Sequence, residues 1–147
     1  MEAKDILREL REKNGLTQDQ LAEKVMVTRQ AVSRWETGET LPNTDTLLLL
    51  SKEYNVSINT LLGSPVQLVC QCCGMPLTED SMISKEPDGR FNEEYCQWCY
   101  TGGEFVYKTK DSLIDFLLKN MPNPEQASND KRRTMYDGLL SQLKHWN

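Results

Sequence analysis

Two C-x2-C pairs constrain this chain more than any other feature. The first lies within Cys70-Gln-Cys72-Cys73-Gly74 and the second is Cys96-Gln-Trp-Cys99, with twenty-two residues between Cys73 and Cys96. Cysteines at this spacing form tight knuckles, and two such knuckles offer four thiolates to one tetrahedral ion. Gly74 supplies the permissive backbone that the first knuckle needs. Three cysteines compete for two places there, but only Cys70 and Cys73 share the C-x2-C spacing. The expected ligands are therefore Cys70, Cys73, Cys96 and Cys99, with Cys72 pointing away. The expected cofactor is a structural Zn2+, although a rubredoxin-like iron would use the same four ligands. A catalytic zinc keeps one position open for water, and four cysteines leave none. A thioredoxin-like redox pair would need a βαβ context that the flanking sequence lacks. A segment of roughly forty residues is too small to bury a sufficient core, so the metal is expected to hold it folded.

The five cysteines, odd in number and clustered, fit reduced thiols better than a disulfide framework. The N-terminus, "MEAKDILREL", is charged and helix-like, unlike a secretory leader. The longest apolar run, "LLLL", falls far short of the roughly 18 residues that span a bilayer. The expectation is a cytoplasmic protein without a membrane partner.

Cysteine is missing from residues 1 to 63, which show helical periodicity instead. Five helices are expected there, each with a start or stop signal. The first runs from about Ala3 to Asn14 with Ile6, Leu7 and Leu10 on one face, and Gly15 stops it. Thr17 caps the second and Thr28 the third, "RQAVSRWET", which Gly38 ends. Asn43 or Thr44 opens the fourth, and Ser57 a short fifth. The domain is expected to span 1–63, with a linker over 64–69 and a second domain over 70–147. Within that second domain, short strands surround the cysteines and two helices follow, the first capped by Asp111 and ending before Pro122. The fold class is mainly α.

The second and third helices are joined so tightly that they must cross steeply, with Leu21, Ala22, Val25, Val32 and Trp35 in the elbow. Helical spacing then turns Arg29, Gln30, Ser33 and Arg34 outward together. Arginine suits guanine edges and glutamine suits adenine edges in a major groove. The net charge of −5 argues against loose polyanion binding. Residues 1–63 carry eight Lys/Arg against ten Asp/Glu, so the deficit is mild where DNA would dock.

"TQ…LA…V…TRQAVSRWE.G…P…LL..LS..Y.VS…LL" resembles the Cro/phage-repressor/Xre helix-turn-helix family across residues 3 to 63. The resemblance implies a five-helix, lambda-repressor-like DNA-binding domain. It implies a phosphate contact at Gln18 and base reading by Thr28, Arg29, Gln30, Ser33 and Arg34, Thr28 also meeting a phosphate. It further implies a buried ion pair between Arg11 and Glu36, which would leave Arg11 unavailable to DNA. The family usually has glycine where this chain has Met26, and an altered turn is expected there.

"CQCCGMPL", "EYCQWCYTGGEF" and the terminal "LKHWN" resemble a bacterial zinc-ribbon domain found at the end of diverse regulators. The resemblance maps its four ligands onto Cys70, Cys73, Cys96 and Cys99, and Cys72 stands where serine is usual. Met135, Tyr136, Leu139, Leu140, Leu143 and Trp146 are expected to form one buried helical stripe. Lys131, Arg132 and Arg133 are read as a solvated helix start, and His145 as a surface residue.

Together these readings give a sequence-specific transcriptional regulator, a repressor that binds double-stranded DNA as a homodimer. The rival readings are a metal- or thiol-responsive switch using Cys72, and an antitoxin or adaptor whose ribbon binds a protein partner. An enzyme is disfavoured, since no histidine–carboxylate or nucleophile set accompanies the thiols.

Overall fold

The computed structural model describes all 147 residues, which divide into two compact units. Met1–Gln67 with Gly89–Phe91 make up the first, and Leu68–Asp88 with Asn92–Asn147 the second.

Within Met1–Gln67 the first unit is built of helices: α1 (Ala3–Lys13), α2 (Gln18–Lys24), α3 (Arg29–Thr37), α4 (Thr44–Tyr54) and α5 (Ile58–Leu61). Side chains cap four of the five N-termini. Thr17, Thr28, Asn43 and Ser57 each accept a hydrogen bond from the backbone N–H three residues on, satisfying one otherwise orphaned donor. Thr17 and Gln20 complete a reciprocal capping box.

The helix ends follow one rule. A left-handed residue stands just past each helix, at Gly15, Met26, Gly38, Asn55 and Gly63. The next residue's N–H then reaches back to a carbonyl in the last turn: Leu16 to Arg11, Val27 to Ala22, Glu39 to Arg34, Val56 to Ser51 and Ser64 to Asn59. Leu7, Leu21, Ala22, Val25, Val32, Trp35, Leu50, Tyr54 and Leu61 form the core beneath these turns.

Met26 corrects the expectation of an altered turn. Its φ is 58°, and the Val27-to-Ala22 bond closes at 2.9 Å, so the glycine-like geometry is retained with a side chain in place. That side chain stands 79% exposed.

The second unit begins with three short strand pairs. β1 (Leu68–Val69) runs antiparallel to β2 (Pro76–Leu77), with Leu68 opposite Leu77. β3 (Ile83–Lys85) pairs with β4 (Phe91–Cys96), and β5 (Tyr100–Thr101) runs antiparallel to β6 (Glu104–Phe105). Helices α6 (Lys110–Asn120) and α7 (Asn129–Leu140) follow and pack on each other, burying Leu113, Ile114, Leu117 and Leu140. A 3-10 turn, Lys144–Trp146, completes the unit.

Four expectations for this region change. The cap of α6 is Thr109, in a box with Ser112; Asp111 lies already inside the helix, in its first turn. The helix α7 ends at Leu140, so Leu143 and Trp146 leave its stripe, and Met135 and Leu139 are exposed. Arg132 is buried, because its guanidinium donates to the carbonyls of Leu118 and Met121 and so caps the C-terminal end of α6. His145 is half-buried, its ring packed against Phe105, Tyr95 and Trp146.

Candidate nucleic-acid interface and metal centre

The helix α3 is positioned from below by Val32 and Trp35, which the core buries almost completely. The opposite face then presents Arg29, Gln30 and Arg34 to solvent, with Ser33 half-buried between them. Thr28 holds the start of the helix, its Oγ1 accepting from the Ala31 N–H at 3.1 Å. Gln18, Thr28, Arg29, Gln30 and Ser33 line a surface groove of about 510 Å3. A second groove of about 610 Å3 shares Gln18 and Arg29 with it and continues along Thr17, Gly15 and Arg11. Five of the six residues singled out in the sequence are thus brought together along one groove beside α2 and α3. Arg34 alone lines neither groove; its Nε lies 3.8 Å from Glu39 Oε2.

The ion pair implied by the resemblance is present. Arg11 Nε donates to Glu36 Oε2 at 2.9 Å and Nη2 to Oε1 at 2.8 Å, while Nη1 donates to the Leu16 carbonyl. Their side chains are 12% and 6% exposed. The hydrogen bonds to Glu36 hold the Arg11 guanidinium above its ordinary pKa, so this charge is spent on pinning α1 to α3. Glu36 also orients Gln18, whose Nε2 donates to Oε2 at 3.4 Å. A primary amide carries a second hydrogen, and the first helical residue has no intrahelical partner for its backbone N–H. Gln18 therefore offers two donors where α2 begins.

In the second unit the Sγ atoms of Cys70, Cys73, Cys96 and Cys99 all lie within 4.8 Å of one another. The Cys73 and Cys96 sulfurs are 3.8 Å apart, the tetrahedral edge expected for metal–sulfur bonds of about 2.3 Å. All five cysteines are free thiols, and of the four only Cys73 is not fully buried. Sulfur hydrogen bonds, Cys73 first, pull Cys70 far below the ordinary thiol range, and the same network, Cys70 first, pushes Cys99 far above it. Four close sulfurs cannot share protons evenly. A divalent cation fits this donor set in charge, chemistry and size.

The knuckles are backbone-built. Cys70 N–H donates to the Met75 carbonyl and Gly74 N–H to the Cys70 carbonyl, both at 2.9 Å, with Gly74 left-handed at φ 82°. In the second knuckle Cys99 N–H donates to the Cys96 carbonyl and Val106 N–H to that of Cys99. Cys72 stays outside the four-sulfur group yet is wholly buried. Sequence reasoning missed what surrounds it. Trp146 Nε1 donates to the Cys72 carbonyl at 2.7 Å, His145 N–H to the Gln71 carbonyl at 3.1 Å, and Lys144 N–H to Gln71 Oε1. Nothing in local periodicity marks a contact across more than seventy residues of chain; the one signal is that "CQCC" and "LKHWN" both carry the zinc-ribbon resemblance.

The family described as "Putative zinc ribbon domain" matches residues 69–147, more than half of the chain. The chain belongs to this zinc-ribbon family. Ahead of the zinc ribbon, a helix-turn-helix family matches residues 7–61, and the first unit is a helix-turn-helix domain of the Cro/Xre type. Neither is an enzyme family. The "HTH-type transcriptional activator BcrR" of Enterococcus faecalis is 45% identical over 63 residues, which are 43% of this chain and 31% of that protein. The "HTH-type transcriptional regulator ImmR" of Bacillus subtilis (strain 168) is 47% identical over 57 residues, 39% of this chain and 45% of that protein. The zinc-ribbon chain thus spans less than half the length of either relative. A crystal structure of the P22 c2 repressor with a synthetic operator is 37% identical, covering 42% of this chain and 94% of that one, with a TM-score of 0.41.

Proposed function

We propose that this zinc-ribbon protein is a sequence-specific, DNA-binding transcriptional regulator that lays α3 in the major groove of duplex DNA. Arg29, Gln30, Ser33 and Arg34 address base edges, while Gln18 and Thr28 meet backbone phosphates. The observation that carries the reading is the outward face of α3, where Arg29, Gln30 and Arg34 are exposed and the first two line a groove together with Gln18. Their charge and amide groups have no packing role, and each bidentate arginine–guanine or glutamine–adenine pair gives about 1–3 kcal/mol of discrimination. Relatives named as helix-turn-helix transcriptional regulators support a regulatory role for this domain. Two copies on a palindrome, with half-sites about one helical turn apart, double the readout.

The second unit holds a structural Zn2+ through Cys70, Cys73, Cys96 and Cys99. When bound, the ion cross-links the two knuckles and neutralises their thiolates. We propose repression as the sense of regulation, exerted by occupancy of a site that overlaps a promoter.

Selection of bound duplexes from a random pool tests the reading. The full chain is expected to recover one palindromic motif, and a reporter driven by it is expected to fall on expression of the protein. Arg29→Ala combined with Arg34→Ala is expected to abolish motif preference while helicity is unchanged. Unaltered selection by that double variant overturns direct readout.

A further inference from the structure

The helix ends of the first unit show what each left-handed turn is used for. Leu16, Val27 and Val56 follow Gly15, Met26 and Asn55, and all three pack against the core. An apolar residue at this position customarily anchors the turn. After Gly38 the same position is held by Glu39, whose side chain is 68% exposed. Its backbone is fixed even so: Glu39 N–H donates to the Arg34 carbonyl at 2.9 Å, and Thr40 N–H to the same oxygen at 3.3 Å. The carboxylate therefore hangs from an anchored residue, with Oε2 3.8 Å from Arg34 Nε. A position that packs after Gly15, Met26 and Asn55, and that holds only the small exposed Ser64 after Gly63, is here given to a charge opposite to that of a reading residue.

We infer that Glu39 is a specificity-determining residue: it holds the Arg34 guanidinium against indiscriminate phosphate contact and releases it to a guanine edge. The inference rests on the function proposed above. Non-specific affinity follows the number of cations that reach phosphates, and α3 has only Arg29 and Arg34 to offer. A carboxylate beside one of them cancels that charge on random DNA and repels phosphates within a Debye length of about 8 Å. On a cognate site the exchange differs. An exposed ion pair is weak, and a base that binds two guanidinium donors at once displaces the carboxylate. Glu39 thus lowers affinity on every duplex, and lowers it more where no guanine is in register.

The test uses the full-length wild type, Glu39→Gln, Arg34→Ala and the double variant. Each is titrated at several salt concentrations on the duplex recovered by wild-type selection and on a scrambled duplex of equal length. Glu39→Gln is expected to tighten the scrambled complex roughly tenfold and the selected one about two- to threefold, so discrimination falls. Its salt slope on scrambled DNA should steepen by about one, the signature of one further phosphate contact. In the Arg34→Ala background the same change should leave discrimination unaltered, because the residue acts through Arg34. Equal gains on both duplexes in both backgrounds would mean long-range repulsion alone, and sink the inference. So would no gain at all. Selective wild-type binding with a silent Glu39→Gln overturns this inference only; a pool that yields no preferred duplex overturns the proposed function as well.

Discussion

The hydroxyl of Tyr54 is buried without a hydrogen-bond partner, beside the paired Arg11 and Glu36. Burial pushes its pKa up to about 12, because the phenolate would have to form away from water. A raised folded pKa leaves stability constant below the ordinary tyrosine value near 10 and removes it progressively as pH climbs toward 12. Tyr54→Phe deletes an unsatisfied polar atom, so urea unfolding at neutral pH should show a gain of about 1 kcal/mol. The variant should also lack the tyrosine share of the alkaline decline, which a series of melts between pH 9 and 12 would measure. Loss of stability in Tyr54→Phe at neutral pH would show that the hydroxyl has a partner after all.

At the level of elements, Met26 sits where the backbone calls for glycine. A side chain in the left-handed region costs roughly 1–2 kcal/mol, while glycine loses more entropy on folding, so the two effects partly offset. Met26→Gly should therefore stabilise the first unit by up to about 1 kcal/mol, read as a higher urea midpoint with unchanged slope. A lower midpoint would mean that the methionine contributes packing its exposure does not suggest.

The same scale shows what a sequence reveals and what it hides. Thr17, Thr28 and Ser57 were legible as caps because the residues they serve lie three positions away, within one turn. Thr109 was overlooked because Asp111, two residues on, has equally good capping chemistry; only the backbone chooses between them. Met26 was misread because the sequence shows a missing glycine but not the Val27–Ala22 bond that enforces its role. Arg132 was invisible as a cap, since its acceptors, Leu118 and Met121, belong to another helix. The candidate sites divide likewise. Cysteine spacing displayed the four sulfurs, and helical spacing the outward face of α3. Glu39 beside Arg34, and Trp146 on the first knuckle, depend on how the chain folds back.

For the whole molecule, the division into two units makes a prediction about metal. The first unit has a continuous apolar core of its own, whereas the strand pairs around the cysteines are two or three residues long apart from β4. Removing the ion with a strong chelator should collapse amide NMR dispersion for residues 68–147 and leave that of 1–67 in place. Simultaneous loss of both sets would contradict independent units.

The grip of Lys144, His145 and Trp146 on the Gln71–Cys72 backbone also imposes a timetable on biosynthesis. When the first knuckle leaves the ribosome, the amino acids that will brace it have yet to be translated. The helical half is complete by then and free to fold, so a nascent chain would acquire its nucleic-acid-facing part well before its sulfur cage is closed.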